Sequence, residues 1–500
     1  ERKGLKRGLI IKKVDGGNMV IRVDSDAMVM HPLYGNDRTT LMILNNLFSP
    51  LYRMNGDDID YCLAEDVSIS DDHLTYTVKL KDDLKWHDEK EITADDLVFT
   101  YNTIMDEKQG SHLRGSFVTP AGEVKIEKVD NSTVKFILPD IQVAFLNTLG
   151  KVKIFPEHVY GGIENIEKSD VNNKPIGSGP FKFEENKSGE SITLTRFDDY
   201  YGGKANLEKV IYKIIPEDAA ADIAFRNGEV DAQYVYNLKN VEKFEEEGAN
   251  ILKFDEDRLG YIMLNQNNEL LKNEKLRQAI AHALNKEELI KARYLSTEYA
   301  QPAKTFLAKD ALYVTDDVDE YEYSPEKSKE LLKESGLKDV KLTMIYSGNE
   351  NALELLVQQY LKDVGIELEL KSMDRGALIE ALTNPESGEK YDLIYNGYIY
   401  GKEPASYAQI FKTGSANNMN NYKNSEVDKL FDQASKETDK EKRFGLYKKI
   451  QQIVIKDVPM YPIDYKNAIV AVNPKLKGLE EAKPAPIHMF DDLSKVYMTE

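Results

Sequence analysis

An α/β protein of two lobes is predicted for this chain, and three observations predict it. Its 500 residues exceed the size at which a single hydrophobic core stops growing, so at least two lobes are expected. From Val340 the pattern runs strand, helix, strand, helix, strand, which is the grammar of a parallel sheet covered by helices on both faces. The first half reads mainly as strands with scattered helices, and "MYPIDYKNAIVAV" near the end returns to strand, so the chain should cross back to the first lobe.

The elements follow in order. In "HLTYTVKL", Leu74, Tyr76, Val78 and Leu80 share one face of a half-buried strand. In "ITADDLVFTYNTIM", Thr93 is placed to cap a helix, Asp96 completes a capping box, and Ile92 with Leu97 forms a hydrophobic staple. Leu97, Val98, Tyr101, Ile104 and Met105 then make the buried stripe. "STVKFIL" and "SITLTRF" are further strands. After "VKLTMIY", Leu353, Leu356, Val357, Tyr360, Leu361 and Val364 recur at helical spacing, and Gly365 stops that helix before "IELELK". A helix over "RGALIEAL" leads to the strand "YDLIYNGYI". Ser425 and Asp428 read as a second capping box, and "DKEKRFGLYKKIQQIVIKD" as an amphipathic helix, which puts a doubly wound second lobe between about Gly260 and Val458.

Composition excludes some functions. With 66 Lys+Arg against 86 Asp+Glu, the formal charge of -20 repels phosphate backbones, so nucleic acid is not expected as a partner. No window approaches eighteen consecutive apolar residues, and "ERKGLKRGLIIKK" at the start lacks the features of a signal peptide. The single cysteine, Cys62, reads as a small buried hydrophobe. Tyrosine is abundant at 29 residues, which suits recognition of ligands with mixed apolar and polar surface.

Candidate chemistry clusters around the only tryptophan, Trp86, where His87, Asp88, Glu89, Glu91, Asp95 and Asp96 fall together. No H-E-x-x-H accompanies them, and helix capping accounts for the acids next to the helix start, so the cluster reads as structural. "IGSGPF" has the glycines of a phosphate loop but lacks Gly-Lys-Ser/Thr and a following helix, so it reads as the entry to a strand. No G-x-S-x-G elbow is present. His282 lies off the apolar face of its helix and is expected to face solvent. The seven histidines are dispersed without ligand spacing, so neither a metal nor a cofactor is expected.

Five segments in order carry a resemblance. They are "LKWHDEKEITADDLVFTYNTI", "NKPIGSGPFKFEE", "AFRNGEVDAQYV", "MLNQNNELLKNEKLRQAIAHALNKEELI" and "YDLIYNGYIYGKEPASYAQIF" followed by "NNYKNSEVDKLFDQA". Together they resemble the oligopeptide, dipeptide and nickel class of extracellular solute-binding proteins, the receptors of ABC importers. Glu89 and Lys90 stand where that class usually has a "GT" turn. The resemblance implies a two-lobed periplasmic-binding-protein-like α/β fold with a central cleft between the lobes. It also implies a first-lobe core of residues 1–48, 165–255 and 463–500, an extra subdomain at 49–164 and a second lobe at 256–462.

The same resemblance implies a mechanism in which hinged lobes close on a peptide gripped through its main chain. "YNGYIYGKEPASY", at the end of the third strand of the parallel sheet, is where open α/β sheets bind ligands, and it carries four tyrosines. By resemblance Gly397, Tyr398 and Ile399 offer backbone partners, with Tyr400 nearby. Peptide-binding members often place an aspartate just after this point to hold the ligand's amino terminus; here Glu403 is the nearest acid. Tyr34 and Asn36, with His31, align near an early cleft-lining loop, and Asn417 and Asn418 lie on the loop after the tyrosine-rich strand. The implied protein is a monomeric receptor without catalytic activity, partnered by peptide and by the importer's membrane permease. It is expected outside the cell membrane, lipid-anchored in its precursor or free in a periplasm. The alternatives are a receptor for a dipeptide, a nickel complex or an oligosaccharide, a hydrolase using cleft carboxylates, and a scaffold for partner proteins.

Overall fold

The computed structural model describes residues 13–348, 351–384, 388, 390–415 and 417–500. These fall into two compact units, one containing the chain up to Phe254 together with Ile469–Glu500, the other Asp255–Ala468. Two long strands, Asn250–Leu264 and Met460–Val472, carry the chain from one unit to the other and back.

In the first unit, strands Phe181–Lys187, Ser191–Arg196 and Lys209–Ile214 run antiparallel, and Asn18–Val23 then joins parallel to the last of them. Ala232–Tyr234 continues the sheet parallel to Asn18–Val23 and pairs on its far edge with Val470–Val472. Alternation does what it should here: Met19, Ile21 and Val23 are buried, as are Ile192, Leu194, Val210 and Tyr212. Helix Arg38–Leu47 adds Met42, Ile43, Leu44 and Leu47 to the buried set. A separate antiparallel sheet, ordered Ala64–Ile69, Thr75–Leu80, Thr133–Ile137 and Lys125–Lys128, carries helix Ala94–Met105. That helix starts as the sequence predicts, with a full capping box of Thr93 and Asp96. Trp86, completely buried, donates its indole N–H to Asp96 Oδ2 at 3.2 Å.

In the second unit, strands run in the order Leu259–Leu264, Leu393–Tyr398, Lys341–Ser347 and Glu367–Met373. The last three are parallel, as their alternation with helices predicts. Helices cover both faces. Arg375–Thr383, Ser425–Lys436 and Lys440–Asp457 enclose a core with Ile345, Ile394, Phe411, Phe431 and Tyr447, while Ala352–Asp363 buries Leu353, Val357 and Leu361 and packs with Glu274–Ala283 and Lys286–Tyr294. One boundary differs from expectation. Asn424 caps the helix in place of Ser425, its side chain accepting from the N–H groups of Glu426 and Val427, because the Asn side chain one residue earlier reaches the first turn equally well.

Candidate ligand-binding site

In the second unit the site is built on the carboxyl end of strand Leu393–Tyr398. On one edge that strand pairs antiparallel with Leu259–Leu264 throughout, Gly397 lying opposite Gly260. On the other edge its parallel pairing covers only Leu393 and Ile394, so beyond Ile394 this edge has no strand partner among the described residues. The Gly397 N–H is held instead by the neighbouring Asn396 Oδ1 at 2.8 Å. Backbone groups of one strand residue point to the same side, which leaves the Gly397 carbonyl facing the unpaired edge. Such an edge is a template for an extended chain.

Side chains on the two faces of this strand differ in kind. On the core face the Tyr398 hydroxyl donates to the Phe306 carbonyl at 2.6 Å and its ring lies 5.1 Å from those of Tyr261 and Tyr400. Tyr400 is half-buried and accepts a hydrogen bond from Asn417 Nδ2 at 2.9 Å. Tyr398, Tyr400 and Asn417 are therefore brought together beside the open edge, and Ile399, half-buried, lies between the two rings in sequence.

On the other face is a polar network that the sequence did not signal. Tyr395 donates to the fully buried Asp464 carboxylate at 2.6 Å and shares a 2.8 Å hydroxyl contact with Tyr294. Arg258 Nη1 stands 4.0 Å from Asp464 Oδ1, and the Arg293 guanidinium lies 4.5 Å over the Tyr395 ring. Burial pushes the Asp464 carboxyl up from the usual carboxylate range, opposed by Tyr395 and the two arginines. Both glycines are required by space: a Cβ on Gly260 would lie 2.3 Å from Asp464 Oδ2, and one on Gly397 2.2 Å from Arg258 Nη2.

Two expected ligand residues have other work. Glu403 is buried and pairs with the equally buried Arg443 at 2.7 Å, while its Oε1 also accepts from the Ala405 N–H at 3.0 Å. It is a structural acid that fixes the turn after the strand, and is not offered to a ligand amine. Asn418 donates to the carbonyls of Lys412 and Tyr422 and accepts from the Tyr422 N–H, so its amide staples its own loop.

In the first unit, Tyr34 is half-buried with its hydroxyl donating to the Gln109 carbonyl at 2.9 Å, and burial pushes that phenol up to about 12. Asn36, two residues on, is exposed. His31 does not line a surface. It is fully buried, with Nδ1 accepting from the Leu33 N–H at 3.2 Å and its ring edge-on to Phe155 and Tyr160. Sequence reasoning missed Tyr234 and Tyr236, which lie at the carboxyl end of a strand parallel to Asn18–Val23, with stacked rings 6.2 Å apart and the Arg38 guanidinium 4.6 Å over Tyr234. Their alternation in "DAQYVY" was the available signal.

Around Trp86, Asp96 completes the helix cap and His87 is held within the fold: its Nδ1 accepts from Gly177 N–H at 3.1 Å and its Nε2 lies 3.0 Å from the Gly179 carbonyl. Among the described residues no group of three or more His, Cys, Asp or Glu could hold a metal ion, and no helix is long and apolar enough to cross a membrane. Burial pushes His31 down to about 3 and His87 to about 4. Below about pH 6.5 the unfolded chain therefore binds protons that the folded chain refuses, and stability is lost as pH falls toward those values. His31→Phe keeps a ring in the aromatic nest and removes one titrating site. In urea unfolding between about pH 6 and pH 4, it should flatten the acid slope by about 1.4 kcal/mol per pH unit.

Comparison with known proteins places these features in a family. The family model described as bacterial extracellular solute-binding proteins, family 5 Middle, matches residues 58–420. The oligopeptide-binding protein AppA of Bacillus subtilis is 32% identical, across 93% of this chain and 89% of its own length. The dipeptide-binding protein DppE of the same organism is 26% identical across 95% and 92%. Among solved structures, the ABC transporter substrate-binding protein CtaP of Listeria monocytogenes superposes with a TM-score of 0.94 at 43% identity, covering 97% of this chain and 100% of that one. AppA of Bacillus subtilis in complex with a nonapeptide gives 0.81 at 28% identity, covering 98% and 100%.

Proposed function

The chain belongs to family 5 of the bacterial extracellular solute-binding proteins, and on that premise we propose that it is the substrate-binding receptor of an ABC importer, capturing oligopeptides and delivering them to the membrane permease. The observation that carries this reading is the unpaired strand edge at Gly397, in a chain similar to a protein solved with a nonapeptide. An extended peptide adds to that edge through main-chain hydrogen bonds to Gly397 and Ile399, while the backbone groups of Tyr398, expected from the sequence to join them, face Leu259 on the paired side. Tyr400 and Asn417 contact it from the loop side. The peptide leaves chemically unchanged, so the protein is a receptor and no enzyme. It works as a monomer outside the cell membrane, held there by a lipid anchor where no outer membrane retains it.

The test is to refold the protein free of ligand, add a pool of oligopeptides, and follow thermal unfolding together with the masses of the recovered peptides. A ligand held only by the native state adds about 2.7 kcal/mol at a hundred times its dissociation constant. The expected result is a raised melting temperature and intact peptides. Cleaved peptides would make it a hydrolase, and a pool that gives no stabilisation contradicts the receptor reading.

A further inference from the structure

Within the second unit, charged groups cross the sheet in a row that ends at the open edge. Asp464, on strand Met460–Val472, places its carboxylate over Gly260, where a Cβ would lie 2.7 Å from its Cγ. Gly260 lies opposite Gly397 on the next strand. Arg258 precedes Gly260 by two residues, so its side chain rises from the same face and stands diagonal to Gly397, within reach of a long side chain. Its guanidinium fills the place of the side chain that Gly397 lacks: a Cβ there would lie 2.7 Å from Nε and closer still to Nη2 and Cζ. One strand further out is the edge beyond Ile394, unpaired among the described residues.

Arg258 is anchored from behind without being used up. Its Nη1 faces Asp464 Oδ1 at 4.0 Å, beyond hydrogen-bond reach, and has no hydrogen-bond partner among the described residues. Asp464 spends its Oδ2 on the Tyr395 hydroxyl at 2.6 Å. Asp464 is wholly shielded from water, whereas 22% of the Arg258 side chain stays exposed.

We propose that Arg258 is a specificity-determining residue of the peptide site, selecting aspartate or glutamate at the ligand position opposite Gly397. This rests on the receptor reading above and deepens it. Residues opposite one another in a sheet turn their side chains to the same face, with Cβ atoms about 4.5–5.5 Å apart. Because the guanidinium occupies the Cβ place of Gly397, it stands about 5 Å from the Cβ of that ligand residue. A carboxylate one or two carbons beyond the ligand Cβ spans this gap and meets the planar N–H groups in charge-assisted hydrogen bonds. A glutamine makes only the weaker neutral bond, and a lysine is repelled. The formal charge of -20 on the whole chain disfavours acidic peptides at long range, so a preference for an acid must come from a local contact.

The test is a set of alanine heptapeptides carrying one glutamate, or one glutamine, at each position in turn, titrated calorimetrically into the protein. Glutamate should bind about tenfold tighter than glutamine at one position and no tighter at the others. In the double variant Arg258→Met/Asp464→Asn, which removes the cation together with the buried charge behind it, the two peptides of that position should come within about twofold of each other. A merely structural role would weaken both peptides and leave their ratio as it was. Arg258→Lys keeps a charge beside Asp464 and guards against a double variant that fails to fold; it should cut the preference to about a third or less, because an ammonium lacks the planar fork. Equal affinity for glutamate and glutamine at every position of the native protein, or a preference undiminished in either variant, overturns the role of Arg258 while the receptor reading stands. Failure of every heptapeptide to bind the folded native protein overturns both.

Discussion

Arg443→Met is expected to destabilise the second unit by about 3–5 kcal/mol, among the largest effects available to a single substitution outside its apolar core. Arg443 and Glu403 are almost completely shielded from water and meet at 2.7 Å. The guanidinium also donates from Nε to the Ala434 carbonyl at 3.1 Å and lies 5.4 Å from the Tyr313 ring and 5.3 Å from that of Tyr447. Methionine replaces the stem but leaves the Glu403 carboxylate buried beside apolar rings, with the Ala405 N–H as its remaining partner. The same carboxylate fixes the turn that follows strand Leu393–Tyr398, so the loss should reach the ligand site as well as the melting temperature. Adding Glu403→Gln to Arg443→Met removes the orphaned charge and should recover part of the loss, because paired residues are not additive. Thermal unfolding of the single and double variants measures it. A single variant as stable as the native chain would show that the pair carries no weight.

Gly397→Val should abolish measurable peptide binding, weakening it by at least about a hundredfold, for about 2.7 kcal/mol. Besides the 2.2 Å approach to Arg258 Nη2, the added Cβ would lie 2.3 Å from Arg258 Cζ and 2.7 Å from Nε, so the whole guanidinium must leave. Arg258 is not free to swing, being set over the Tyr395 ring and beside Asp464. Either the arginine moves toward the open edge and blocks it, or the strand shifts and its backbone acceptors lose register. Overpacking of this kind costs about 1–3 kcal/mol in stability, small enough for a folded protein to be titrated. Calorimetry with the peptide pool decides the matter, and undiminished affinity would mean that this edge is not where a peptide lies.

What the sequence revealed was what depends on neighbours along the chain. The Thr93–Asp96 box and the alternation in Thr75–Leu80 needed no distant partner to be recognised, and both are present. The parallel strands of the second unit were readable because their helices fall between them at regular intervals. The cap at Asn424 was misread by one residue because Asn-Ser-Glu offers two adjacent cap residues, and only the backbone decides between them.

Partners far apart in sequence left no such trace. Glu403 looks available until Arg443, forty residues later, is folded against it, and His31 looks like a loop histidine until Phe155 and Tyr160 close around it. The Gly260 and Gly397 pair and the Asp464 network arise from cross-strand and loop packing that no periodicity encodes.

Hydrogen exchange of the backbone amides, followed by mass spectrometry with and without bound peptide, tests the central claim most directly. If a peptide lies as an added strand along the edge beyond Ile394, exchange across residues 396–400 should slow markedly on binding, and Gly397→Val should lose the effect together with the affinity. Tight peptide binding that leaves exchange across that segment unchanged would contradict it.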